Sequence, residues 1–556
     1  MSIQNPWLKN YPAGVPQEIG APSHASLTDF LEECFDRFAN RKVVESMGAF
    51  FTYRQLDRLS KDFASYLQTL GLEKGARVAL MYPNVIEYLV AMLGTLRAGY
   101  VVVNINPLYT SRELEAQLLD SGASVLVLME NFASTYELIA QQVSLKKVIV
   151  SSPGELLGLK GLLVNWVARN IKKIVPPWDV IHTKFKQALS IGSQHSFQKP
   201  EIGLDDIAFL QYTGGTTGTS KGAVLLHRNI LSNVMQIESW LNPGLKHRQD
   251  QQLHFLCALP MTHIFALTAC ALLGIAKGAL LILVANPRDI DGFIKLLAKH
   301  PKINIFPGVN TLFHALIHRP EFKKVKLPNL LVTIGGGMAV HKKTADHWQA
   351  LTGSPIAQGY GLSETSPVVC VNSPLEKHFT GHIGVPLPST DVAILDDDEV
   401  ELPQGTAGEI CIKGPQVMAG YWNKPEETAH CMTADGYFKS GDIGLVTNDG
   451  YIQIVDRKKD MIVVAGFKVF PNDVEDVLSQ MPGIKECAVI GVPHRKLGEI
   501  VKAYVVKSNH HTTEADVLQY CKEHLTSYKR PRKVVFIHEL PKSNVGKILR
   551  RELRNL

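Results

Sequence analysis

From Tyr212 to Gly222 the chain reads Tyr-Thr-Gly-Gly-Thr-Thr-Gly-Thr-Ser-Lys-Gly. Glycines at 214, 215, 218 and 222 let backbone N–H groups come close to an anion. Thr213, Thr216 and Thr217 add hydroxyl donors, and Lys221 adds a positive charge. This is chemistry for holding phosphates. A Walker A loop places Gly-Lys-Ser/Thr ahead of a helix. Here Ser-Lys-Gly leads into Ala-Val-Leu-Leu, which reads as a strand, so the P-loop reading is disfavoured.

Other residue types able to do chemistry are less organised when taken alone. His314 and His318 have the spacing of a zinc pair, but the residues between them lack the acid of HExxH, and metal is rejected there. The eight cysteines form no CxxC or CxxH cluster, which reads as reduced thiols rather than a zinc site or disulfide framework.

The loop resembles the signature of the acyl-adenylate-forming superfamily, which holds acyl-CoA synthetases, peptide-synthetase adenylation domains and luciferases. Four more segments follow in that family's order: Gln358-Gly-Tyr-Gly-Leu-Ser-Glu-Thr365, Tyr437-Phe-Lys-Ser-Gly-Asp442, Asp456-Arg-Lys-Lys-Asp460 and Pro541-Lys-Ser-Asn-Val-Gly-Lys547. The run Phe306–Phe313, the triple glycine 335–337, GPQVMAGYW at 414–422 and PKSNVGKILRREL at 541–553 are similar to bacterial long-chain fatty acid–CoA ligases.

The resemblance implies a ligase that uses ATP, Mg²⁺ and CoA. A fatty acid and ATP would give acyl-AMP and pyrophosphate, and acyl-AMP and CoA would then give acyl-CoA and AMP. It implies that Lys547 reaches between the carboxylate and the α-phosphate, and that Glu364, with Thr213, holds Mg²⁺. His263 would position the acyl end, and Lys221 would stand with Gly214, Gly215, Thr216, Thr217 and Gly218 around phosphate. Gly335, Gly336, Gly337, Gln358, Gly359, Tyr360, Gly361, Thr365, Asp442, Ile454 and Arg457 would bind ATP and AMP, Tyr360 facing adenine and Asp442 the ribose hydroxyls. Lys459 takes the hinge position. Gly466, Phe467 and Lys468 would line the thiol tunnel. Gly215 stands where many members have serine and Lys459 where other branches have aspartate; the fatty acyl branch also tends to carry glycine at the former.

The elements that must position these residues are legible as alternating signals. Residues 77–82 read as a buried strand, 84–98 as a helix closed by Gly99, and YVVVNIN as a second strand. The alternation recurs around 206–240, 254–285 and 303–335 and predicts stacked α/β subdomains. From about 384 short strands and glycine turns predict a β-rich subdomain. The expected fold class is α/β: a large N-terminal AMP- and acyl-binding domain, 1–456, a hinge at 457–459, and a small mobile α+β C-terminal domain, 460–556. Pro471-Asn472-Asp473 reads as a helix start and 514–525 as a further helix.

Length and composition bound the partners. The chain has 556 residues, 45% apolar and 20% charged, which excludes disorder, collagen and coiled coil. A net charge of +6 suits anionic ligands or an anionic membrane and is too weak to argue for nucleic acid. Residues 266–285 are long and apolar enough for a spanning helix, but Gly274 and Gly278 flank Lys277, favouring a buried helix-turn-strand. Residues 157–175 carry Lys160, Arg169, Lys172 and Lys173 among apolar residues, as a basic amphipathic helix on an anionic bilayer would, or as an ordinary surface helix would. The expected location is cytoplasmic with peripheral contact at the inner membrane face, and a homodimer is allowed. Rival readings are a medium-chain or aromatic acid–CoA ligase, an acyl-AMP ligase loading a carrier protein, and a fatty-acid-binding scaffold that has lost catalysis.

Overall fold

Strand Arg77–Met81 lies between Val101–Ile105 and Val125–Met129, parallel to both. The computed structural model describes residues 5–213, 220–245, 251–508, 511–542 and 548–556. Val101–Ile105 and Val125–Met129 are buried at every position, as expected where helices cover both faces of a parallel sheet. The connecting helix Ile86–Arg97 is buried all round, and the helix Tyr53–Thr69 packs against it. Strand Ile207–Thr213 joins beside Val101–Ile105, and Lys221–Leu226 returns antiparallel to it. That register sets Thr213 opposite Lys221. The two ends of the glycine-threonine loop are therefore fixed by a ladder.

A second large sheet has a parallel centre made of Lys42–Ser46, Leu280–Leu283, His254–Cys257, Ile305–Gly308, Val332–Gly335 and Ile356–Gly361. Gly308 pairs with Gly335, and Gly335 with Gln358, so three strands finish side by side. The carboxyl ends of such strands are the usual ligand position in open α/β sheets.

The apolar stretch 266–285 is the expected helix-turn-strand. Helical turns run through Ile264–Ala276, Gly278 turns at φ 62°, and Leu280–Leu283 is a strand. Glycine is required at 278 twice over, by its left-handed backbone and because a Cβ there would come within 2.7 Å of the Phe38 ring. Among the described residues no helix is long and apolar enough to cross a membrane.

Strands Asp391–Leu395, Gly408–Lys413, Phe438–Val446 and Ile452–Arg457 make the antiparallel, β-rich layer. Past Arg457 the chain enters a different sheet, in which the long hairpin Ile484–His494 and Gly498–Lys507 pairs with Ile462–Val464 and Lys533–Phe536. Helices Pro471–Gln480 and Glu514–His524 pack there around a separate core that includes Val474, Leu478, Val501 and Val517. Proline at the first position of the former helix lacks only an N–H that has no helical partner anyway.

Candidate active site

Strand Ile356–Gly361 delivers the tightest part of the site. A Cβ on Gly361 would lie 1.8 Å from the Pro367 carbonyl, so only glycine lets the chain fold back there. Tyr360, buried beside it, donates its hydroxyl to Asp442 Oδ2 over 2.8 Å. Asp442 Oδ1 pairs with Arg457 Nε at 2.9 Å, across strands in which the two residues are in register. The Asp442 N–H donates to Ser440 Oγ at 3.1 Å. Each carboxylate oxygen keeps one further lone pair for an incoming hydroxyl.

Glu364 follows in the short turn Ser363–Thr365. Its carboxylate is buried and accepts the Tyr421 hydroxyl over 2.7 Å. Burial pushes the Glu364 carboxyl upward; the Tyr421 hydrogen bond and the Arg457 charge hold it down, and Asp442 adds repulsion. The same Tyr421 ring lies under Lys221, whose ammonium is 5.2 Å from the ring centroid and pairs with Glu427. Tyr421 thus joins the Glu364 turn to the foot of the glycine-threonine loop.

The remaining residues proposed from the sequence fall into distinct situations. Gly214, Gly215, Thr216, Thr217, Gly218 and Lys547 lie outside the described residues. The Thr213 carbonyl accepts the Ser220 hydroxyl at 2.6 Å, which closes the loop's neck. Gly335 and Gly336 are small for a reason inside the fold: a Cβ would come within 2.6 Å of Val340 at the first and 2.9 Å of Phe265 at the second. Gly337 adopts φ 74°. Gln358 is committed to the backbone, receiving from Val340 N at 3.2 Å and donating to the His382 carbonyl at 3.0 Å. Gly359 pairs with Val371. The Thr365 hydroxyl is likewise spent locally, on the carbonyl of Pro367 at 2.6 Å. Ile454 is half-buried on the strand that ends at Arg457.

His263 opens the helical turns at Ile264, and its Nδ1 accepts the Phe265 N–H at 3.3 Å. Its loop is pinned from below by a buried polar chain. Asn84 receives from Met261 N at 2.8 Å, Tyr88 donates to the Met261 carbonyl at 2.9 Å, and Gln211 donates to the Thr262 carbonyl at 2.9 Å. Gln211 is two residues before Thr213, so the histidine loop and the strand that leads into the glycine-threonine loop share one support.

At the junction of the two sheets, Lys459 has its ammonium lowered to about 8, mainly by lost hydration and then by Arg457 and Arg554, against the pull of Asp460. Arg550 braces the crossing: it reaches Glu475 at 2.7 Å, Asn472 at 2.9 Å and Asp460 at 3.4 Å. The Asn472 N–H in turn donates to Asp456 Oδ2 at 2.7 Å. Ala465 and Gly466, the latter at φ 85°, form the tip of the hairpin between Ile462–Val464 and Phe467–Val469. That tip and Lys468 are exposed, and the Phe467 ring stacks on Tyr528 at 4.8 Å.

Three functional candidates were not among the residues proposed from the sequence: Tyr421, Glu427 and the Asn84–Tyr88–Gln211 support. Tyr421 lies in a motif that the sequence offered only as a likeness. Glu427 is 206 positions from Lys221, and no local pattern links the two.

The sequence pattern of the AMP-binding enzyme family matches residues 31–422, and that of the AMP-binding enzyme C-terminal domain matches 473–547. The chain is 48% identical to a long-chain-fatty-acid–CoA ligase of Escherichia coli O6:H1, covering 99% of this chain and 98% of that one. Among solved structures, ATP-bound MatB from Rhodopseudomonas palustris is 29% identical with a TM-score of 0.83, over 95% of this chain and 98% of that one. The apo form of the same protein, with the same coverage, gives 0.73. A Mycobacterium tuberculosis fatty acyl CoA synthetase is also 29% identical, with a TM-score of 0.71 over 96% of this chain and 98% of that one.

Proposed function

The chain belongs to the AMP-binding enzyme family, and within it we propose that the protein is a long-chain fatty acid–CoA ligase. The observation that carries the reading is the convergence of Glu364, Lys221 and the Asp442–Arg457 pair through two tyrosines, Tyr421 and Tyr360, beside the glycine-threonine loop. A carboxylate is a poor acyl donor because oxide would have to leave. Attack of its oxygen on the α-phosphorus of ATP forms the acyl-phosphate bond and breaks the bond to pyrophosphate. The thiolate of CoA then attacks the acyl carbon, and AMP leaves with the former carboxylate oxygen.

Each residue has a job in this scheme. Asp442 accepts the ribose hydroxyls on its free lone pairs, with Arg457 holding the carboxylate in place. Lys221 and the loop it ends cradle phosphate. His263 orients the carboxylate end of the acid. Glu364 and Thr213 offer hard oxygen donors of the kind Mg²⁺ prefers, and a buried carboxylate facing phosphates has reason to share a cation with them. The cation, when bound, neutralises charge on the phosphate oxygens. Lys547 neutralises the approaching carboxylate and α-phosphate, and crowded negative charge makes such positioning the main source of rate.

In this reading residues 460–556 rotate about Lys459 between the two steps, alternating Lys547 with the Gly466 hairpin. The higher TM-score with the ATP-bound than with the apo form of one relative supports an ATP-competent arrangement here, as does the exposure of the Gly466 tip. The test is to separate the half-reactions. Lys547→Ala should lower acyl-AMP formation by a factor on the order of 10² while sparing thiol attack on supplied acyl-AMP. Gly466→Leu should do the reverse. Equal loss of both steps in either variant would sink the division of labour.

A further inference from the structure

Lys221 already has an anionic partner inside the chain. Its ammonium meets the Glu427 carboxylate and lies 5.2 Å from the centroid of the Tyr421 ring. The lysine side chain is only 17% exposed, whereas that of Glu427 is 51% exposed. An ammonium so enclosed needs an acceptor, while the carboxylate can return to water at little cost.

The contact is built into the fold although its members are 206 positions apart. Strand Gly420–Tyr421 pairs antiparallel with Lys221–Leu226, Tyr421 opposite Ala223 and Gly420 opposite Val224. The Trp422 N–H donates to the Gly222 carbonyl at 2.8 Å and carries this edge on towards Lys221. Helix Pro425–His430, which bears Glu427, is clamped to the same strand. Thr428 Oγ1 accepts the Tyr421 N–H at 2.9 Å and donates to the Lys424 carbonyl at 2.9 Å. A Cβ on Gly420 would come within 2.9 Å of the Thr428 side chain, so the helix lies flush against the strand. Lys424 is itself held by Asp120 at 3.3 Å, which leaves the Glu427 carboxylate to Lys221. Once released, that carboxylate stays in the first turn of its helix, where negative charge is favoured.

We propose that Glu427 is a stand-in for phosphate. It holds Lys221 before ATP binds, yields it to the more highly charged phosphates, and takes it back as pyrophosphate leaves. Glu427 is thus a positioning residue that acts through Lys221. It keeps the ammonium at the foot of the glycine-threonine loop and competes with the nucleotide for it. The competition weakens ATP binding and speeds the loss of pyrophosphate. This role rests on the ligase reading of Lys221 as a phosphate ligand.

The test is equilibrium dialysis of the full chain with ATP and, separately, with pyrophosphate, Mg²⁺ being present in both. Glu427→Gln removes the charge and keeps the shape. It should bind both ligands about 3-fold more tightly than the parent. In acid-dependent exchange of pyrophosphate into ATP, its KM for ATP should fall without a matching rise in kcat. Glu427→Ala should behave alike, and because residue 427 is exposed both variants should keep the parent's thermal midpoint. Lys221→Met should weaken ATP binding, and in that background Glu427→Gln should no longer change it. Unchanged or weaker ATP binding in Glu427→Gln, beside a parent that binds ATP, would overturn the stand-in role and leave the ligase reading intact. The same gain in the Lys221→Met background would also overturn it. A parent that binds no ATP would refute both.

Discussion

The Tyr421 hydroxyl donates to the Glu364 carboxylate over 2.7 Å, and the same ring carries Lys221 over its face. One aromatic side chain therefore contacts both the proposed cation ligand and the lysine at the foot of the glycine-threonine loop. Tyr421→Phe keeps the ring and removes one charge-assisted hydrogen bond. Acid-dependent exchange of pyrophosphate into ATP should fall about 10-fold, the loss of roughly 1.5 kcal/mol. An unchanged rate would mean that Glu364 does not depend on Tyr421 for its position.

Asp442 is held on both sides, by Tyr360 at 2.8 Å and by Arg457 at 2.9 Å. Asp442→Ala leaves Arg457 without its carboxylate and removes the proposed ribose acceptor. The KM for ATP should rise and kcat/KM fall by about 10- to 100-fold, with the KM for CoA nearly unchanged. A selective effect on CoA instead would move Asp442 out of the nucleotide site.

Arg550, on the C-terminal helix, reaches a carboxylate at each end of the 457–459 crossing, Asp456 at 3.8 Å and Asp460 at 3.4 Å, and is itself held by Glu475. Arg550→Ala leaves buried carboxylates uncompensated and should cost about 3 kcal/mol locally. Limited proteolysis should then cut first near residues 457–461, faster than in the parent, and adenylation should suffer more than thioester formation. A parent-like cleavage pattern would show that the brace does not govern the crossing.

Glu87 is buried, and lost hydration pushes its carboxyl up to about 8, against help from its own N–H and the Leu156 N–H. A folded pKa above the unfolded one means that the native state holds the proton longer. The contribution of Glu87 is therefore complete below about 4.5 and is lost as pH rises to about 8, at about 1.4 kcal/mol per pH unit. Glu155 is shifted in the same direction nearby. Glu87→Gln should flatten the decline of the thermal midpoint between pH 5 and 8. Parallel pH profiles in parent and variant would contradict this.

Local patterns carried the fold a long way. The strand–helix–strand run from Arg77 to Met129 and the helix-turn-strand of 266–285 were both legible, because burial on two faces leaves an uninterrupted apolar strand and Gly278 marks the turn. The start of the helix at Pro471 was legible from its cap chemistry. What escaped depends on long-range packing. Gly335 and Gly336 were expected to admit a ligand, yet Val340, Ile356 and Phe265 already demand their small size. Tyr360 was expected to offer its flat face to adenine; the structure adds that its hydroxyl anchors Asp442. The pairing of Lys221 with Glu427 joins segments that meet only after two strands and a helix have formed. For residues 157–175 the periodicity was visible, but not which side faced out.

The most direct test of the central claim is AMP and thioester release by the purified protein with Mg-ATP, using oleate, hexanoate or a hydroxycinnamate, each with and without CoA. The ligase account predicts AMP and acyl-CoA in equal amounts, only when CoA is present, and fastest with oleate. Preference for another acid would contradict the long-chain assignment, acyl-AMP without thioester would point to carrier loading, and no AMP from any acid would refute the account.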